Sequence, residues 1–145
     1  MTPLGLLRLK TDEGCKLHAY PDPRTGKEPW TIGYGCTGPG INKDTIWTQA
    51  QADGAILLRV HQIETQLGHQ LPWFNKLQEV RQDVLGNIAY NIGVHGLIKW
   101  TITLAAIGRG DYHDAADDIR NNKVWKSEIG AREERCADAL QTGSW

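Results

Sequence analysis

Residues 11–35 read TDEGCKLHAYPDPRTGKEPWTIGYG, and the pattern changes character twice along them. Gly14 follows Glu13 where an apolar helix pattern stops, which puts Glu13 at a helix end. Beyond Cys15 the prolines and glycines of PDPRTGKEP forbid a helix, whereas Trp30, Thr31, Ile32 and Tyr34 favour a strand. The reading is a small β-hairpin or a three-stranded sheet between residues 15 and about 41. Glu13, Asp22 and Thr31 then each lie at the edge of a different local structure, at a helix end, in a turn and at the opening of a strand.

Outward from this stretch the chain reads as helix. Thr2-Pro3 is an N-cap followed by proline at the first helical position, with Leu4, Leu6, Leu7 and Leu9 as an apolar flank. Thr48 with Gln51 three residues on matches a capping box. Ile56, Val60, Ile63 and Leu67 follow as one stripe, and Gly68 is the expected stop. Val80, Val84, Leu85, Ile88, Ala89 and Ile92 form a broad face ending at Gly93. GLIKWTITLAAIG reads as one helix apolar nearly all round and hence buried. DYHDAADDIR has an aspartate cap and buries Ala115, Ala116 and Ile119. SEIGAREERCADALQTG places Ile129, Arg132, Cys136 and Leu140 on or near one side, with Gly143 as breaker. The class is α+β, mostly α.

Composition narrows the function. The 145 residues carry a net charge of −1, with 40% hydrophobic and 23% charged residues. That is an ordinary globular composition, without the basic footprint of a nucleic-acid binder. Nothing reaches the roughly 20 apolar residues of a membrane span. The opening MTPLGLLRLKTDEG lacks a signal-peptide core, so synthesis in a cytoplasm without export is expected. Three cysteines, Cys15, Cys36 and Cys136, lack CxxC spacing and read as reduced thiols, with a Cys15–Cys36 pair left open. His18, His61, His69, His95 and His113 show no ligand spacing, and DYHDAADD lacks the glycine and terminal Glu of a calcium loop. No metal and no cofactor are expected.

The residue types of the opening stretch fit acid–base hydrolysis of a glycosidic bond. That reaction uses one carboxylic acid as proton donor and a second, ionised carboxylate to activate water or attack the sugar. Glu13, at a helix end, suits the first role, and Asp22, in a turn between prolines, the second. The Thr31 hydroxyl is placed to orient a water. The residues alone equally allow a surface glutamate and a turn-forming aspartate.

DEG, then AYPD, then WTIGYG, in this order after an N-terminal helix, resembles the lysozymes of tailed bacteriophages. The family pattern is Glu in an EG dipeptide, Asp closing Y-x-D, and Thr in TIG-x-G, matched by Glu13, Asp22 and Thr31. LGNIAYNIG, GLIKWTITL and GAREERCADALQTGSW extend the likeness across the chain. The resemblance implies one lysozyme-like catalytic domain, 1–145, with a small β lobe at 14–47 and a connecting helix at 48–68. A helical lobe at 69–145 would pack with the N-terminal helix 3–13, and the polysaccharide would lie in a cleft between the lobes. It also implies cleavage of the β-1,4 bond between N-acetylmuramic acid and N-acetylglucosamine in peptidoglycan, by inversion, for host-cell lysis. Glu13 would be the general acid, Asp22 and Thr31 the water-activating pair, and Arg132 their support beside Glu13. Gly35, Thr37, Tyr90, Thr103 and Asp118 would contact the glycan. Trp100 reads as core, with Trp30 and Trp125 as candidates for the groove edge.

The expected partner is bacterial peptidoglycan, met by a monomer that depends on a separate membrane-permeabilising protein to reach the periplasmic wall. Two departures from the pattern stand out. PRTGKEPW is longer than the matching turn of the family's best-known member, and Cys36 stands where that member has histidine. Many members are basic and this chain is not, so a weaker pull toward the anionic wall and a smaller loss of binding in salt are expected. Two other readings compete. A lytic transglycosylase would need one acid and leave anhydro products, and a non-catalytic glycan-binding module would need no acid.

Overall fold

A computed structural model describes residues 1–21, 26–122, 125 and 131–145. The fold is α+β and mostly helical, with a small antiparallel sheet near the N-terminus. The backbone divides into two compact units, Leu7–His61 and Met1–Leu6 with Gln62–Trp145. Helix α1 (Pro3–Glu13) and helix α2 (Gln49–Gln70) each contribute to both.

The capping chemistry read from the sequence is present at both helix starts. Gly5 N–H donates to the Thr2 hydroxyl at 3.0 Å, which satisfies an otherwise unpaired amide of the first turn of α1. At α2 the exchange is reciprocal. Thr48 N–H donates to Gln51 Oε1 at 2.8 Å and Gln51 N–H to Thr48 Oγ1 at 3.2 Å. Helix α1 stops at Gly14, whose φ of 64° is left-handed and whose N–H donates to Lys10 O at 3.0 Å.

In the Leu7–His61 unit, strands β1 (Lys16–Pro21), β2 (Trp30–Gly33) and β3 (Cys36–Thr37) form an antiparallel sheet in that order. Lys16 pairs with Gly33, Tyr20 with Thr31 and Pro21 with Trp30. The register is irregular, because four steps along β1 from Lys16 to Tyr20 span two along β2 from Gly33 to Thr31. Residues 45–47 cover the other edge of β1, with Ala19 N–H on Thr45 O at 3.0 Å and Trp47 N–H on Leu17 O at 2.9 Å. Leu9, Ile32, Tyr34, Ala52, Ile56 and Val60 are buried in this unit.

The other unit is built on helix α3 (Glu79–Ile92), where Val84, Leu85, Ile88 and Ala89 are fully buried. Around it lie the 3₁₀ turn Phe74–Lys76 and helices α4 (Val94–Ile98), α5 (Thr101–Arg109), α6 (Tyr112–Arg120) and α7 (Ala131–Thr142). Ile63 and Leu67, from the second part of α2, join the same core. Each such side chain contributes about 1.5–3 kcal/mol by leaving water. Arg81 of α3 donates through Nε to Leu140 O at 2.9 Å, which satisfies a carbonyl near the end of α7. Its guanidinium also stacks 3.7 Å from the Tyr112 ring centroid on α6.

Four local expectations are corrected. The leucines of α1 do not form one buried flank. Leu4 and Leu7 are 45% and 59% exposed, because the buried face runs through Gly5 and Leu9, four residues apart. Gly68 does not end α2, which continues to Gln70; a side chain there would crowd Asn75 Nδ2 at 3.1 Å. GLIKWTITLAAIG is two helices, broken where Trp100 takes ψ 59° and packs edge-on against Trp125, 5.4 Å between ring centroids. Within α5 only one face is buried, Thr103, Leu104, Ala106 and Ile107, and Ile102 is exposed. Asp111 precedes α6 without a side-chain cap. Its backbone N–H closes the end of α5 on Ala106 O at 2.9 Å, and its carboxylate lies 3.9 Å from Arg109 Nη2.

Ile129 lies outside the described residues. Trp125 is buried at 2% exposure, with Nε1–H on Asn91 Oδ1 at 2.9 Å, so it is a core residue and not a groove edge.

The buried carboxylate of Asp83 anchors the start of the chain. It accepts Thr2 N–H at 2.9 Å, the Thr2 hydroxyl, and Trp145 Nε1–H at 3.3 Å. A Cβ on Gly5 would sit 2.2 Å from Asp83 Oδ2 and 2.9 Å from its Cβ. Gly→Ala inside a helix ordinarily gains about 0.5–1 kcal/mol. Here overpacking against a carboxylate held by Thr2 reverses the sign, and Gly5→Ala should lose about 1–2 kcal/mol in urea unfolding.

Candidate active site

Glu13 occupies the last position of α1, half-buried, before the reversal at Gly14. A Cβ built on Gly35 would lie 3.8 Å from Glu13 Oε2, so the backbone of the Gly33–Gly35 turn approaches this carboxylate. Gly33 and Gly35 have φ of 64° and 84°, a region that glycine enters without strain. At Gly33 a side chain would also meet the Trp47 ring at 3.0 Å.

Tyr20 of β1 lies within electrostatic reach of Glu13. Burial first, then the Glu13 carboxylate and Cys36, push the Tyr20 phenol above its ordinary range. Tyr20 is directly opposite Thr31, and Thr31 is directly opposite Thr37. Directly opposed residues of an antiparallel pair project from one face. Tyr20, Thr31 and Thr37 therefore form a cross-strand row that runs from half-buried to exposed. Glu13, Thr31, Gly35 and Thr37 thus belong to one compact unit. Asp22 follows Pro21, the last residue of β1, and itself lies outside the described residues.

The remaining candidates belong to the other unit. Arg132 is buried on α7, with Nε–H on Asn87 Oδ1 at 2.8 Å and Nη2–H on Asn87 O at 3.0 Å. Cys136 Sγ lies 3.6 Å from the same Asn87 Oδ1. Thr103 is buried and donates its hydroxyl to the Asp118 carboxylate. Tyr90 is half-buried against the core.

The model matched by residues 10–137 is that of the phage lysozymes. The chain belongs to the phage lysozyme family. An endolysin of Lactococcus phage c2 and an endolysin of Lactococcus phage phivML3 are each 34% identical to it over 89 residues. Each match takes in 61% of this chain and 38% of the relative, so the chain spans well under half the length of either endolysin.

Against the phage lysozyme pattern, two features of this unit were missed in the sequence. Tyr20 sits two residues before Asp22 in AYPD, and its pairing with Thr31 depends on the shifted register of β1. The second feature is a polar junction around Asp53 of α2. One oxygen, Asp53 Oδ1, accepts Lys10 Nζ at 2.7 Å, Tyr34 Oη at 3.0 Å and Gln49 Nε2 at 3.0 Å. Gln49 Nε2 also donates to Tyr34 Oη at 3.1 Å, and Lys10 Nζ is 5.5 Å from the Tyr34 ring centroid. The only sequence signals were the Gln49/Asp53 spacing of four and Lys10 one turn before Glu13.

The thiols form no disulfide; Cys15 is exposed, Cys36 half-buried and Cys136 buried. Burial raises the Cys36 thiol above its ordinary value, opposed by the Arg59 guanidinium and assisted by Cys15.

The junction carries a pH signature. The hydrogen bond from Lys10, then those from Gln49 and Tyr34, hold the Asp53 carboxyl below its ordinary 3.8. The same bond lifts Lys10 above 10.5. A depressed carboxyl stabilises the fold above its unfolded pKa and loses that contribution as pH falls through the folded value. The raised lysine contributes below 10.5 and loses it as pH climbs past its folded pKa. The difference in thermal midpoint between wild type and Asp53→Asn should therefore be flat from about pH 5 to 9 and shrink below about pH 3.8.

Proposed function

We propose that the chain is a muramidase that hydrolyses the β-1,4 bond between N-acetylmuramic acid and N-acetylglucosamine in peptidoglycan, with inversion. The observation that carries this reading is Glu13 at the end of α1, close to the Gly35 backbone, in the same compact unit as the Tyr20–Thr31–Thr37 row. Family membership supplies the reaction class.

In this reading Glu13 donates its proton to the glycosidic oxygen as the bond from that oxygen to the anomeric carbon breaks. Asp22 and Thr31 hold a water on the opposite face. The water oxygen forms the new bond to the anomeric carbon, and its proton passes to the Asp22 carboxylate. Gly35 and Thr37 contact the glycan from the sheet. Arg132 supports the acid by orienting it, and Tyr90 and Asp118 line the glycan path, with the buried Thr103 hydroxyl bonded to the Asp118 carboxylate.

Among the described residues no helix is long and apolar enough to cross a membrane. We read the protein as a monomer made in the host cytoplasm, released onto the periplasmic wall by a separate membrane-permeabilising protein. The anomer first released tests the mechanism. Nuclear magnetic resonance of a short glycan digest, followed before mutarotation, should show the α-anomer; first release of the β-anomer would remove the water-holding role from Asp22 and Thr31.

A further inference from the structure

We propose that Asp53 is a positioning residue for Glu13, holding the last turn of α1 and the Tyr34 turn to one carboxylate oxygen. The inference deepens the muramidase reading and rests on Glu13 being its acid. Three donors reach Asp53 Oδ1 from three segments: Lys10 of α1, Tyr34 between Gly33 and Gly35, and Gln49 in the first turn of α2. Lys10 is one helical turn before Glu13, so tethering its ammonium holds the end of α1. Tyr34 is buried and adjoins Gly35, the residue whose backbone approaches Glu13 Oε2.

Asp53 therefore links the last turn of α1, which carries Glu13, to the turn whose Gly35 backbone approaches the Glu13 carboxyl. An ion pair this exposed contributes little to stability, with Lys10 and Asp53 side chains 25% and 36% exposed. Alignment of a proton donor is far more sensitive, since a misplacement of about 1 Å costs about 10²-fold in rate. The junction should matter more to turnover than to folding.

The test compares wild type, Asp53→Ala, Asp53→Asn, Tyr34→Phe and Glu13→Gln on soluble peptidoglycan fragments, with thermal melts of each. Asp53→Ala should lower kcat about 10- to 100-fold with KM within about twofold, while its midpoint falls by only a few degrees. Asp53→Asn keeps an acceptor oxygen in place and should restore most of the lost kcat. Tyr34→Phe removes one strut and should fall between Asn and Ala, and it carries the test if Asp53→Ala does not fold. Wild-type kcat in folded Asp53→Ala, or an equal loss in Asp53→Asn, overturns the positioning role while Glu13→Gln is inactive. Activity retained in Glu13→Gln overturns the muramidase reading itself, whatever Asp53 does.

Discussion

Glu13→Gln should lower turnover of purified cell walls by about 10²–10⁴-fold, the range that a positioned general acid supplies. The substitution keeps the size of the side chain and removes only the transferable proton. Glu13 is half-buried at the end of α1, close to the Gly35 backbone, and the isosteric amide fits the same space. Circular dichroism and the melting midpoint should match wild type, and binding to walls should persist. A protein that merely bound glycan would show no change on this substitution. Turbidity loss within twofold of wild type would therefore return the chain to the binding-module reading.

Trp125→Ala should cost about 3–5 kcal/mol of stability in urea, a large part of the roughly 5–15 kcal/mol that holds a domain together. The indole is 2% exposed, packs edge-on against Trp100 at an interplanar angle of 70°, and bonds Asn91 through Nε1. Removing it opens a cavity and deletes both contacts. Trp125→Phe should cost less, since it keeps most of the buried ring and loses the hydrogen bond. A loss below about 1 kcal/mol for Trp125→Ala would mean that the site collapses around the smaller residue.

What was legible in the sequence is what local chemistry decides. Thr2-Pro3, the Thr48/Gln51 box and the Ile56–Val60–Ile63–Leu67 stripe depend on neighbours within one or two turns, and each forms as its residue types require. Glu13 at a helix end follows from the Gly14 stop in the same way. Leu4 and Leu7 show the opposite case, because an apolar residue does not announce which face its helix will bury. The break at Trp100 is set by its packing on Trp125, distant in sequence. Asp111 stands at the N-cap of α6 without a side-chain cap bond, and its backbone N–H bonds Ala106 O at the end of α5, a contact no local pattern reveals.

The site divides along the same line. Motif order nominated Glu13, Asp22 and Thr31 as candidates, all short-range features of residues 11–35. Tyr20 depends on a strand register that shifts within β1, and no alternation pattern reveals such a shift. Asp53 depends on three segments meeting at one oxygen, in which Tyr34 looks like any other strand aromatic until its hydroxyl is followed.

Whether the glycan bond here is cleaved by hydrolysis can be read from the products of one digest. Purified walls treated in water enriched in oxygen-18 should yield muropeptides with reducing N-acetylmuramic acid ends, each carrying one heavy oxygen at the anomeric carbon. Anhydro ends lighter by one water, or heavy oxygen at new peptide carboxylates with the glycan intact, would contradict the assignment.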